Sequence, residues 1–136
     1  MKILSILIFT LLTFTCQAQY KPNWGFVTGL TLAGASHGLD QTLTYHQYKF
    51  NAKFPNLANK PFWNNQQLWD KTPLILGYRP NAKHILATGT QALCLGSGVV
   101  LVIGEKKKLR YYLYDLVLGS IGYSVGNFVT YDLLYR

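Results

Sequence analysis

His37, Asp40, Gln41, Thr44 and Tyr48 follow one another at steps of three, one, three and four residues. At 100° per residue these steps put all five on one stripe of a helix. An imidazole and a carboxylate at i and i+3 have two chemical uses. Both can ligate one metal ion, or the carboxylate can orient the ring as a general base. His46 stands nine residues after His37 and points to the opposite face of a regular helix, whereas His84 lies beyond a long connection that could fold back. The candidate catalytic set is therefore His37, Asp40 and His84. The plainer reading of the stripe is a polar helix face satisfied by neighbouring chain and by water, since His-x-x-Asp is a short pattern.

Other chemistries lack their residues. There is no His-Glu-x-x-His, no cysteine pair for zinc and no phosphate loop followed by Lys-Ser/Thr. Gly96-Ser97-Gly98 lacks the flanking spacing of a nucleophile elbow and lies inside an apolar run. With only five Asp and Glu in the chain, no pair of acids can be assigned to glycoside hydrolysis. No metal and no cofactor is expected, and an enzyme is the less favoured class.

The elements that must carry these residues follow from composition. The 136 residues include 13 Lys and Arg against five acids, for a net charge of +8. Charged residues make up 13%, against roughly 25% in an average soluble domain, while 49% are hydrophobic and 15% aromatic. That excludes a disordered chain and argues against an ordinary soluble enzyme domain, whose surface needs more charge of both signs. Residues 1–19 read as a secretory signal: Lys2, an apolar run from Ile3, and a small-residue exit at Ala18. An uncleaved anchor or a lipoprotein acylated at Cys16 are the less favoured readings. Residues 20–136 then form a single helical membrane-associated domain.

Within it the expected fold is all-α: one amphipathic helix over 24–48, an aromatic Pro-rich loop over 49–83, and a transmembrane helical hairpin over 84–136. Ile85–Ile103 is nineteen residues without a charge, about 28 Å of helix against a hydrocarbon core of about 30 Å. The turn Glu105–Arg110 has four positive residues and one negative, and Tyr111–Tyr135 is apolar with tyrosines at both ends, an aromatic-belt pattern. Asp115, one turn into that run, is expected to pair with the basic turn, and Asn127 to reach Gln91 or Thr88 on the other arm. Gly29 and Ala33, like Gly122 and Gly126, are spaced by four and suit close helix packing. Loop 49–83 interleaves lysines with rings. Trp63, Trp69, Phe62, Lys60 and Lys71 are its candidate lipid-facing or partner-facing residues.

The basic turn after Ile103 is expected to be cytoplasmic by the positive-inside rule. That leaves residues 20–83 on the outer side, with helix 24–48 not crossing, because Asp40 at mid-membrane would cost about 2.5–3.5 kcal/mol. The expected location is a bacterial inner (cytoplasmic) membrane, reached by the secretory route. The partners are membrane lipid and a protein partner or a homo-oligomer. Nucleic acid is not expected, since an exported chain meets anionic headgroups first.

The succession Ala33–Asp40, Tyr45-His46, Phe54-Pro55-Asn56, Phe62-Trp63-Asn64 and Trp69-Asp70-Lys71 resembles that of a group of small bacterial envelope proteins with no established activity. The resemblance covers roughly residues 33–90. It implies an ordered loop packed on helix 24–48 and nothing about catalysis. The function expected is that of a small integral envelope protein with an interaction or scaffolding role, loop 49–83 lying at the membrane surface. The alternatives are a membrane-embedded metal-dependent or acid/base enzyme using the His37/Asp40 face, and a subunit of a small carrier.

Overall fold

Asn23 starts the first helix by accepting the Phe26 N–H on its side-chain oxygen at 3.1 Å, which satisfies one of the amides a helix start leaves unpaired. The computed structural model describes residues 20–64 and 81–136, and among these every regular element is helical. The expected signal at 1–19 and residues 65–80 of the expected loop lie outside the described residues.

Helix α1 runs Trp24–Tyr45 and ends at His46, three residues short of the expected Tyr48. The chain turns there and resumes as α2, Gln47–Lys53, then as α3, Pro55–Ala58. Burial accounts for the break: it brings Phe50 back against Leu43 and Ala82, with Leu57, Phe62, Trp63 and Leu134 packed around them. Gln47, buried, donates to the Trp63 carbonyl at 2.9 Å and so ties the return segment to its own start. Residues 49–64 of the expected loop are thus partly helical and packed on the bundle.

Helix α4 spans Ala82–Ile103, capped by Asn81, and α5 spans Leu109–Tyr135. They are the two arms of the expected hairpin, but they do not pack as one. Helix α1 lies between them and makes nearly all the interhelical contact, while α4 and α5 barely meet. Small residues on α1 explain the arrangement. A Cβ on Gly29 would strike Ser97 of α4, and a Cβ on Gly34 or Gly38 would strike the backbone carbonyls of Tyr123 or Asn127 of α5. From the other side, Gly122 and Gly126 admit Val27, Thr31 and Ala35 of α1, and Ala33 is wholly buried. Close backbone approach of this kind replaces hydrophobic driving force where helices meet in an apolar medium. Asn127 consequently lies against Gly38 rather than against Gln91 or Thr88.

The direction of each helix follows from its contacts. Gly25 meets Val100 and Ser36 bonds the Leu86 carbonyl at 3.0 Å, so α1 and α4 are antiparallel. Phe26 meets Gly119 and Gly38 meets Thr130, so α1 and α5 are parallel. Residues 20–23 therefore share one end of the bundle with the turn after α4. Residues 46–64, 81–84 and the C-terminus occupy the other. Residues 20 and 83, expected on one side, lie at opposite ends.

Among the described residues one helix, Ala82–Ile103, is long and apolar enough to cross a membrane, and only 6% of its most apolar stretch is buried inside the chain. The sequence reading expects two such helices. In α5 the run is interrupted by Asp115, Asn127 and Asp132.

Candidate functional site

Of the polar stripe, His37, Asp40, Gln41 and Thr44 lie on α1, while Tyr48 falls beyond its end on α2. His37 stacks on Tyr123 of α5, ring centres 6.1 Å apart, and its Nε2 lies 3.1 Å from the Gln41 amide nitrogen. An amide nitrogen only donates, so the imidazole accepts there. His84 lies in the first turn of α4, its Nδ1 2.8 Å from the Asn81 side-chain oxygen. Among the described residues the ion pairs are Lys107–Asp115 and Arg136–Asp132, so neither imidazole pairs with Asp40. No three His, Cys, Asp or Glu side chains among them converge as metal ligands. His46 stays apart from the stripe, edge-on to Tyr131 and Tyr135.

Asp40 has one buried carboxylate oxygen without a hydrogen-bond partner, as does the Thr44 hydroxyl. Its depth matters more than its partners. Because Ser36 is level with Leu86, Asp40 one turn further on is level with the start of α4 at Asn81–Lys83. A carboxylate there is at the end of the bundle and not midway along it.

The other end of the bundle holds the densest polar site. Asp115 is wholly buried. Its Oδ1 accepts the Tyr20 hydroxyl at 2.7 Å and the Asn23 N–H at 2.8 Å, and its Oδ2 accepts from Lys107 at 2.8 Å. Lys107 also donates to the Lys21 carbonyl at 2.6 Å and lies over the Tyr20 ring. Tyr20 stacks on Tyr111 and meets Tyr114 edge-on. Burial, and then the hydrogen bond to Asp115, push the Tyr20 hydroxyl well above the ordinary tyrosine range. Pairing of Asp115 with the basic turn is legible in the sequence. Tyr20 and Asn23 as its further donors are not, because nothing local joins them to a residue more than ninety positions away.

The residues expected to face lipid or a partner divide. Trp63 stacks on Phe50 at 5.5 Å and meets Phe62 edge-on at 5.2 Å. Both are half-buried against the Leu43–Phe50–Ala82 core. Lys60 is exposed in the turn between them and α3. Trp69 and Lys71 lie outside the described residues. Much of the remaining surface of the long helices is apolar: Leu95, Val99, Val102 and Ile103 of α4 and Leu116, Val117, Val125 and Phe128 of α5 are all exposed. Thr90, Ser97 and Ser120 each donate to the carbonyl four residues back, which satisfies the hydroxyl within its own helix.

Comparison with protein-family models, with curated proteins and with solved structures gave no match.

Proposed function

We propose that the chain is a small integral membrane protein of the cell envelope with an interaction or scaffolding role, all three long helices crossing the bilayer. The observation that carries this reading is the exposed apolar length of α4. A helix of 22 residues, about 33 Å long, offers its apolar side chains outward and buries almost none of them. Such a surface is costly in water and costs nothing in hydrocarbon. Helix α1 runs alongside α4 for its whole length, so a bilayer that surrounds α4 also takes in α1, and α5 follows on its far side.

Both ends support the same placement. Tyr20, Tyr111, Tyr112 and Tyr114 ring one, with Lys21, Lys106, Lys108 and Arg110; Tyr48, Trp63, Tyr131 and Tyr135 ring the other, with Lys49, Lys53, Lys60 and Lys83. Rings and long basic side chains belong at the two interfaces. The connection 49–83 has six positive residues against Asp70, while at the opposite end Lys107 is neutralised by Asp115. The positive-inside rule then favours a cytoplasmic 46–83, and a signal that exports Tyr20 favours the same orientation. With α1 outside the membrane those two rules conflict.

Alkaline carbonate extraction and labelling of the native thiol test the placement together. Cys94 lies midway along α4. The protein should stay in the membrane pellet, and Cys94 should react with a water-soluble maleimide only after detergent is added. Release into the carbonate supernatant, with Cys94 reactive in intact membranes, would refute the reading.

A further inference from the structure

Where α2 and α3 fold back on the bundle they leave an apolar groove of about 330 Å³ that the packing of the described residues does not fill. Leu39, Phe50, Phe54, Leu57, Trp63 and Leu133 are among its walls. Leu133 remains 65% exposed and Phe54 39%, so the groove opens sideways, away from the helix interfaces. It is built from the last turns of α1 and α5. On the reading proposed above, that places it at headgroup depth.

Its rim is basic. Lys53 donates to the carbonyl of Leu133, a residue of the groove wall. Lys49 lies over the Tyr135 ring, 4.8 Å from its centre, and Lys60 sits in the turn between Leu57 and Trp63. Residues 41–64 contain no acid. Two acids come near along the chain. Asp132, beside Leu133, is paired with Arg136 at 2.7 Å, and Asp40 is turned 100° round α1 from Leu39. An apolar slot with a cationic mouth, set at the membrane surface, has the complementarity of an anionic amphiphile. We infer that this groove binds one anionic phospholipid, an acyl chain lying along Phe54, Leu57 and Trp63 and the phosphate against Lys53. A zwitterionic lipid offers the same chain without the net charge, and a second copy of this protein would bring another basic end.

Trp63 lines the groove and reports on it. In a protein carrying Trp24→Phe and Trp69→Phe, reconstituted into phosphatidylcholine vesicles with a small fraction of phosphatidylglycerol, bromine is placed on the acyl chains of one lipid or the other at equal mole fraction. Brominated phosphatidylglycerol should quench Trp63 about fivefold more than its mole fraction accounts for, the enrichment one lysine supplies at an anionic surface. Lys53→Gln should return quenching to the mole fraction, and Lys53→Arg should keep the preference. Equal quenching by the two lipids, or a preference untouched by Lys53→Gln, overturns the inference. Because it rests on the membrane reading, flotation of the same vesicles is measured alongside. A protein that floats without lipid preference loses only the groove, and one that does not float loses both.

Discussion

Asp115 shows what a single residue does in this molecule. A buried carboxylate is costly unless it is fully paired, and here three donors from two separate parts of the chain meet it. Asp115→Asn should cost about 3–5 kcal/mol, because Lys107, itself only 11% exposed, would then hold a charge without its partner. Tyr20→Phe removes one donor and should cost about 1–3 kcal/mol. Both are read from thermal unfolding in detergent. The pH dependence of the Tyr20 term has a definite sign. Its folded pKa is raised, so the folded state favours the neutral phenol. The contribution is complete below the unfolded value of about 10 and is lost as pH rises beyond it. The stability gap between the parent and Tyr20→Phe should be flat from about pH 7 to 9 and narrow above about pH 10. A gap that closes between pH 7 and 9 would mean that another group controls this site.

Among the elements, α1 organises the rest, and its glycines separate into two kinds of position. Gly126→Ala sets a methyl group into the backbone of Thr31 and Ala35, so α1 and α5 must move apart, at a cost of about 1–3 kcal/mol. Gly98→Ala meets nothing within 4 Å and should stabilise α4 by up to about 1 kcal/mol through helix propensity. Melting temperatures of the two variants should therefore shift in opposite directions, and a shared direction would reject the assignment of α1 as the packing centre. The same residues show how far the sequence could be read. The ends of α4 and α5 were legible to within a few residues, because an uncharged run followed by a basic turn leaves little choice. Spacing by four also showed that backbones come close. Which helix comes close was hidden: hydropathy joins the two most apolar runs, whereas contact goes to the helix with small residues on two faces. The break at His46 was hidden too, since the burial of Phe50 against Leu43 that requires it is a tertiary event with no local signal. The His37–Asp40 spacing was real as a stripe and silent about its neighbours, which turned out to be Gln41 and Tyr123 instead of a second histidine.

For the whole molecule, the order of helices in space decides sidedness. A bundle whose first and third helices run parallel, with the second antiparallel beside the first, presents residues 20–23 and 104–110 at one face and residues 46–64, 81–84 and 136 at the other. No bilayer that surrounds α4 can put Lys21 and Lys60 on the same side. In a Cys94→Ser background, Lys106→Cys should react with a membrane-impermeant maleimide added to intact cells, and Lys60→Cys only in inverted vesicles. Reaction of Lys21→Cys and Lys60→Cys from a single side would show that α1 stays out of the bilayer. The packing of its glycines on Ser97, Tyr123 and Asn127 would then have to be surrendered as well, because those contacts hold α1 against α4 and α5 along the full depth of the bundle. Sidedness and helix packing therefore stand on the same contacts, and a labelling experiment at these three lysines tests the fold as directly as it tests the location.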